Sequence, residues 1–183
     1  HLLEAAGLPV DVLVPDLDER RIEAEAGPLS PVDLARTLAL AKARAVAAFA
    51  EDRIVVAADQ VLACEGEVFH KSHSLGAARL QLSRLLRRTH VLHSAAALII
   101  PGREPDVFHD SASLTMRDLD ARAIDTYLDL AGHERVTGTV GGYQLEGLGI
   151  HLFSRIEGAH ATILGLPLLG LLDRLRRHGC LAV

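Results

Sequence analysis

A carboxylate that directly follows an apolar run is the strongest candidate for catalysis in this sequence. Residues 53–58 (Arg-Ile-Val-Val-Ala-Ala) are typical of a central strand covered on both faces, and Asp59 comes next. Since α/β folds place ligand sites at the carboxyl ends of such strands, we expect Asp59 to lie in a catalytic or binding site. The alternative is a turn or capping aspartate, which is common at such positions.

A second carboxylate could share a metal ion with Asp59. Glu19 ends the acidic segment Asp16-Leu17-Asp18-Glu19, which follows an apolar, β-branched run at residues 9–14. Carboxylate oxygens are the ligands that Mg²⁺ prefers in proteins. The pair therefore predicts a divalent-metal site, and the alternative is a solvated acidic loop.

The two lysines of the chain are candidates for binding phosphate. Lysine and arginine together number 19, but only Lys42 and Lys71 are lysines. With such a bias towards arginine, a surviving lysine indicates a place where a compact ammonium is needed and a planar guanidinium cannot replace it. Both ammonium groups could neutralise phosphate oxygens. The alternative is that each is a surface lysine kept by chance.

A glycine-rich stretch over residues 138–149 supplies one further candidate. Its glycines would let the backbone approach a ligand closely. Glu146 lies there between apolar residues and glycine, an unusual place for a solvated carboxylate. The alternative is a flexible loop.

The elements that must position these residues alternate between strands and helices. Ser30 followed by Pro31 is a clear helix start, with serine as the N-cap and proline in the first turn. Hairpins intervene between the βα segments, so we predict an α/β fold with a mixed sheet. The pattern predicts helices at residues 1–6, 30–50, 74–88, 118–130 and 167–178, and strands at 9–14, 53–58, 90–100, 106–116 and 150–156.

Composition excludes several classes of protein. The 183 residues are 49% apolar and 23% charged, which is ordinary for a globular chain. The sequence has no run of 18 or more apolar residues and therefore predicts no membrane span. Its net charge of −5 disfavours a nonspecific nucleic-acid binder. Two cysteines without a leader pattern favour the reducing cytoplasm, so we expect a cytoplasmic protein.

Taken in order, these pieces resemble the Maf-like nucleoside triphosphate pyrophosphatases over essentially the whole chain. The resemblance implies one Maf-like domain over residues 1–183, without the family's amino-terminal strand and phosphate-binding segment, which would precede His1. It also implies a long mixed β-sheet flanked by helices, two lobes around a cleft, and a homodimer. The matching segments are Asp16-Leu17-Asp18-Glu19, Ala41-Lys42-Ala43, Ala58-Asp59-Gln60-Val61, the hairpin leading to Lys71, Gly141-Gly142-Tyr143-Gln144-Leu145-Glu146-Gly147 and Leu164-Gly165-Leu166-Pro167-Leu168.

The resemblance also implies an activity and roles for the candidates. The family hydrolyses a nucleoside triphosphate to the monophosphate and pyrophosphate with a divalent metal such as Mg²⁺ or Mn²⁺. Asp59 would be the catalytic acid or base, Glu19 its metal or water partner, and Lys42 and Lys71 the phosphate-binding lysines. The sequence departs from the family at His70-Lys71-Ser72, where Gly-Lys-Pro is usual, and at residues 160–162 (His-Ala-Thr), where a Ser-Asn pair is usual.

Two residues bear on the choice of substrate. Gln60 and Glu146 resemble the branch that acts on 7-methyl-GTP, whereas the dTTP and UTP branch typically has Thr and Gln there. A carboxylate can accept the two adjacent N–H donors of guanine, and a pyrimidine edge suits an amide. The open alternatives are a dTTP/UTP pyrophosphatase of the same family and a regulatory nucleotide-binding protein without catalysis.

Overall fold

A computed structural model describes residues 2–182 of the chain. Its strands are β1 (Val55–Cys64), β2 (Glu67–Phe69), β3 (Thr89–Ile99), β4 (Asp106–Met116) and β5 (Phe153–Glu157). Its helices are α1 (Leu2–Ala5), α2 (Glu19–Ala26), α3 (Pro31–Ala47), α4 (Leu75–Leu85), α5 (Ala121–Ala131), α6 (His133–Thr137), α7 (His160–Ile163) and α8 (Leu168–Arg177), with a 3-10 helix at Leu148–Leu152.

The five strands form one sheet in the order β2-β1-β3-β4-β5. The sheet is antiparallel, where a mixed sheet was expected. Leu62 pairs with Phe69 in β1 and β2, and Ser113 pairs with Glu157 in β4 and β5. Short connections account for the antiparallel β1–β2 and β3–β4 neighbours, since parallel neighbours need a long crossover. The predicted α/β class, with a long sheet flanked by helices, is confirmed.

Local sequence signals account for several helix starts. Ser30 caps α3 because its Oγ accepts a hydrogen bond from the backbone N–H of Asp33 at 3.1 Å. Ser74 and Asp120 cap α4 and α5 in the same way, with N···O distances of 3.1 and 2.7 Å. The predicted helices over these regions are therefore confirmed, and His1 lies outside the described residues.

One strand prediction was wrong, and the end of another was misplaced, in ways that matter for the site. Residues 9–14 form no strand, and Val12 and Val14 are more than 80% exposed. This segment and residues 54–58 line the same cavity of about 380 Å³. The cavity therefore lies beside the segment where a strand would need a hydrogen-bonded neighbour. The strand predicted at residues 53–58 does not stop before Asp59, because β1 continues to Cys64. Asp59 is thus an interior strand residue and not a strand-end one.

The chain divides into two compact units. The first unit contains the residues up to Gln60, residues 93–110 and those from Ala159 on; the second contains residues 61–92 and 111–158. The core of the first unit is formed by Ala96, Leu98, Phe108, Leu171 and Leu175. In the second unit the buried side chains of α4 and α5 include Leu82, Leu85, Ile124 and Leu128.

Among residues 2–182, none of the helices combines the length and apolar character needed to cross a membrane. The expected cleft between two lobes stays a prediction.

Candidate active site

The first unit brings three of the predicted site residues together. The Lys42 Nζ atom lies 2.5 Å from Asp59 Oδ1 and 2.8 Å from Glu19 Oε1. The Asp59 side chain is 9% exposed and that of Lys42 is 21% exposed, whereas Glu19 is about half exposed. One ammonium therefore bridges a nearly buried carboxylate and a solvent-facing one.

Helix boundaries and burial place each member of this triad. Glu19 is the first residue of α2, and Asp18 caps that helix by accepting from the backbone N–H of Arg21 at 3.0 Å. Lys42 lies on α3 beside Ala39, Ala43 and Val46, which are buried. Because residues three and four apart share a helix face, Lys42 lies at the edge of the buried stripe and its ammonium is held close to β1.

The charges of the two carboxylates control the protonation of Lys42. Burial alone would lower the pKa of Lys42, but its hydrogen bonds and charge attraction to Asp59 and Glu19 outweigh burial and raise that pKa above its usual 10.5. Lys42 is therefore a fixed positive charge at neutral pH. Such a charge can stabilise a phosphate oxygen that approaches Lys42.

The triad also provides oxygen ligands of the kind a magnesium ion takes. Mg²⁺ is commonly bound by one or two carboxylates, with substrate phosphates and water completing its shell. Within residues 2–182, no group of three or more His, Cys, Asp or Glu side chains is arranged to hold a metal. An ion on Glu19 and Asp59 would need further oxygen ligands from outside this pair, and the metal site stays a prediction.

Gln60 follows Asp59 on β1, and its side chain therefore points to the opposite face of the strand. There its Nε2 donates to Ser94 Oγ at 2.9 Å and to the backbone carbonyls of Thr162 and Ile163, both at 3.0 Å. The structure therefore places Gln60 among protein acceptors of the first unit, away from the Lys42–Asp59 contact.

The other two predicted residues belong to the second unit. Lys71 is exposed in the loop after β2, and Glu146 is exposed in the glycine-rich loop. The Glu146 side chain is not buried, contrary to what its apolar neighbours suggested. The roles predicted for Lys71 and Glu146 stay predictions.

A chain of hydrogen bonds that the sequence did not reveal, here called the polar relay, connects the loop after β2 to the glycine-rich loop in the second unit. Buried Ser72, next to Lys71, donates from its Oγ to Gln81 Oε1 at 2.7 Å. The Gln81 amide in turn donates to the Val140 carbonyl, at the start of the glycine-rich loop. Only the position of Ser72 beside Lys71 could have pointed to this relay, because Gln81 has the pattern of an ordinary helix residue.

Two tyrosines hold the glycine-rich loop itself. Tyr127 donates to the Gly142 carbonyl at 3.0 Å, and the Tyr143 hydroxyl lies 2.6 Å from His90 Nε2. A Cβ on Gly141 would lie 2.2 Å from the Tyr143 ring, so only glycine fits there. The loop that carries Glu146 is therefore anchored and not freely flexible.

Comparison with known proteins identifies the family. Residues 1–178 match the sequence profile of the family described as Maf-like protein. The chain belongs to this Maf-like family. A nucleoside triphosphate pyrophosphatase of Nitrobacter hamburgensis is 45% identical over 182 residues, which cover 100% of this chain and 90% of that protein. One of Bradyrhizobium diazoefficiens is 46% identical over 184 residues, with 100% and 90% covered.

A relative with a narrower name is almost as similar to this Maf-like protein. The 7-methyl-GTP pyrophosphatase of Brucella abortus is 43% identical over 183 residues, which cover 98% of this chain and 91% of that protein. The family resemblance drawn from the sequence is therefore confirmed.

Proposed function

We propose that this Maf-like protein hydrolyses a nucleoside triphosphate to the monophosphate and pyrophosphate. The observation that carries the proposal is the Lys42 ammonium held 2.5 Å from the nearly buried Asp59 carboxylate, with Glu19 on its other side. A fixed cation beside a carboxylate is what phosphoanhydride hydrolysis needs, since charge develops on the leaving pyrophosphate while a water must be deprotonated. The names of the relatives support the same activity.

In the proposed reaction, water attacks the α-phosphorus and the bond from that phosphorus to the bridging oxygen breaks. Asp59 accepts the proton of the water, and pyrophosphate leaves with the electron pair of the broken bond. Lys42 stabilises the charge on the phosphate oxygens, and Lys71 is proposed to do the same from the loop after β2. When bound, a divalent ion such as Mg²⁺ or Mn²⁺ on Glu19 and Asp59 would add Lewis-acid stabilisation of the same oxygens.

We propose 7-methyl-GTP, or a related modified guanine nucleotide, as the substrate. The Brucella relative bears that name, and Glu146 offers a carboxylate that can accept two adjacent N–H groups of a guanine edge. A base whose positive charge comes from methylation is also attracted to a carboxylate. A dTTP/UTP pyrophosphatase and a nucleotide-binding regulator are the alternatives. The homodimer and the cytoplasmic location stay predictions.

The test is pyrophosphate release by the full-length protein with 7-methyl-GTP, GTP, dTTP and UTP, each with Mg²⁺ and with Mn²⁺. We expect the highest kcat/KM with 7-methyl-GTP and loss of turnover in Asp59→Asn, whose shape is nearly unchanged. Asp52→Asn, at an exposed position in the turn before β1, is the matched control and should keep full activity. Turnover retained by a folded Asp59→Asn would refute the mechanism. Tight nucleotide binding without pyrophosphate release would favour the regulator.

A further inference from the structure

The hydrogen bonds of the polar relay can run in only one direction. The Val140 carbonyl only accepts, so the Gln81 side chain must turn its amide nitrogen towards that carbonyl and its amide oxygen away from it. That oxygen lies 2.7 Å from Ser72 Oγ, and the serine hydroxyl must therefore be the donor. The orientation of the Gln81 amide is thus fixed by the chemistry of both its neighbours.

Ser72 is the anchor of the loop that carries Lys71. Of residues 70–77, only Ser72 is buried, at 7% exposure, and its sequence neighbours Lys71 and His73 are exposed. Because a buried hydroxyl without a hydrogen-bond partner is costly, the loop keeps the backbone position that lets Ser72 reach Gln81. The contact between Ser72 and Gln81 therefore sets where the backbone of Lys71 lies.

The glycine-rich loop rests on the same helix, α4. Val140 accepts from Gln81, and a Cβ on Gly142 would lie 3.7 Å from Leu82 Cγ, so the loop packs against two successive residues of α4. Helix α4 is itself held in the second unit by its buried apolar face. Because a helix packed in this way positions side chains more precisely than a loop does, α4 gives both loops one fixed support.

We propose that Gln81 is a positioning residue that holds two substrate-binding loops in place. Through Ser72 it sets the loop after β2, which carries Lys71. Through Val140 it sets the glycine-rich loop, which carries Glu146. The inference rests on the proposed function, in which Lys71 binds phosphate and Glu146 binds the base. Removal of Gln81 then loosens both contacts with the substrate, whereas removal of the Ser72 hydroxyl loosens only the contact with phosphate.

Two measurements on the full-length protein read the two loops separately. Inorganic tripolyphosphate has no base, so its inhibition constant reads the phosphate contact alone. The ratio of kcat/KM for 7-methyl-GTP to that for dTTP reads the base contact. A variant that only lowers the amount of folded protein changes neither quantity, so both distinguish a positioning role from a purely structural one.

The decisive variant is Gln81→Met, which keeps roughly the length of the side chain but removes both hydrogen bonds. We expect its inhibition constant for tripolyphosphate to rise roughly tenfold and its nucleotide ratio to fall roughly tenfold, because small displacements of a binding group have effects of this size. Ser72→Ala breaks only the first bond of the relay. It should raise the inhibition constant by a similar factor and leave the ratio within about threefold of the parent.

Ser83→Ala is the matched control, since Ser83 is exposed on α4 and donates to the Arg79 carbonyl of its own helix at 2.9 Å. Both quantities should stay at the values of the parent in this variant. Equal shifts in Ser83→Ala and Gln81→Met would overturn the inference. A folded Gln81→Met that differs from the parent only in melting temperature would also overturn it. If Gln81→Met does not fold, an unchanged inhibition constant in Ser72→Ala does the same.

Hydrogen–deuterium exchange tests the hold on the glycine-rich loop independently of activity. The amide of Gly142 is bonded to the Thr139 carbonyl at 3.4 Å, and the amide of Gly132, at the end of α5, is bonded to the Leu128 carbonyl. In Gln81→Met the Gly142 amide should exchange roughly tenfold faster, while the Gly132 amide is unchanged.

The exchange measurement also separates the two proposals. If the parent protein hydrolyses no nucleotide, the proposed function fails, and the exchange at Gly142 still decides whether Gln81 holds the glycine-rich loop. Unchanged exchange at Gly142 in a folded Gln81→Met would overturn the positioning role, whatever nucleotide the parent hydrolyses.

Discussion

Lys42 and Asp59 are 17 residues apart in sequence, and the ammonium of the first lies 2.5 Å from a carboxylate oxygen of the second. Asp59 is interior to β1 and only 9% exposed, so its charge is largely removed from water. A carboxylate in that position is costly unless a cation faces it. Lys42 therefore stabilises the fold as well as supplying the positive charge that the proposed reaction uses.

Replacing Lys42 should therefore destabilise the protein. Lys42→Met keeps the length of the side chain but leaves Asp59 without its cation, and we expect a loss of about 2 kcal/mol in the free energy of unfolding. Urea denaturation followed by circular dichroism measures it. The control is Arg53→Met, which breaks an ion pair with Asp11 in which both side chains are more than half exposed. Such pairs contribute less than about 1 kcal/mol, so equal losses in the two variants would contradict the stabilising role of Lys42.

A second prediction concerns the acid sensitivity of the second unit. Burial lowers the pKa of His90 from 6.5 to about 4, because the ring has no access to water. Between those pH values the unfolded chain binds a proton that the folded chain does not. The His90 contribution to stability is therefore present above pH 6.5 and is lost as pH falls towards 4, by an amount on the order of 3 kcal/mol.

Unfolding free energies measured across pH 4–7 should show this loss in the parent and a flatter profile in His90→Gln. The glutamine can still hydrogen-bond the Tyr143 hydroxyl, which lies 2.6 Å from His90 Nε2, but it does not titrate. His133→Gln, at an exposed position, is the control and should keep the slope of the parent. Parallel profiles for the parent and His90→Gln would show that His90 is not the source of the acid sensitivity.

The sequence predicted those features that depend only on neighbouring residues, such as helix starts. The Ser30-Pro31 pair marks the start of α3 because capping needs only neighbouring residues, and it thereby places Lys42 on a helix. The strand predicted at residues 9–14 failed because β-branched residues favour extended backbone but cannot supply a neighbouring strand. Strand formation depends on long-range pairing, which a single segment does not reveal.

The contacts of Gln60 could not be predicted from the sequence for the same reason. Its acceptors lie 34, 102 and 103 residues away in sequence, and nothing near Gln60 indicates them. Lys42 and Asp59 are also separated in sequence, by 17 residues, but the scarcity of lysine had indicated that Lys42 has a functional role. Residue type predicted which groups could do chemistry, and the fold was needed to show which of them meet.

A third prediction tests the base-reading role proposed for Glu146. Glu146→Gln keeps the side-chain shape but replaces one acceptor oxygen by a donor, so a guanine edge loses a partner while a pyrimidine edge gains one. We expect the ratio of kcat/KM for 7-methyl-GTP to that for dTTP to fall by about a hundredfold. The control is Glu134→Gln, at an exposed position on α6, which makes the same change of charge. An equal ratio in Glu146→Gln and Glu134→Gln would exclude Glu146 from base recognition.

The last prediction separates the shape of the glycine-rich loop from its chemistry. A Cβ on Gly149 would lie 2.4 Å from the backbone oxygen of Gln144, whereas on Gly147 the nearest atom is the same oxygen at 3.9 Å. The first contact cannot be relieved by turning a side chain, so Gly149→Ala must move the backbone next to Glu146. Gly147→Ala makes only an ordinary van der Waals contact.

We therefore expect Gly149→Ala to lower the free energy of unfolding by about 1–3 kcal/mol and Gly147→Ala to change it by less than about 0.5 kcal/mol. In kinetics, Gly149→Ala should raise KM for the preferred nucleotide, because the displaced loop carries the carboxylate proposed to bind the base. Chemical denaturation and steady-state pyrophosphate release measure the two effects. If both alanine variants behave alike, the close approach of Gly149 to Gln144 does not control the position of the loop or of Glu146.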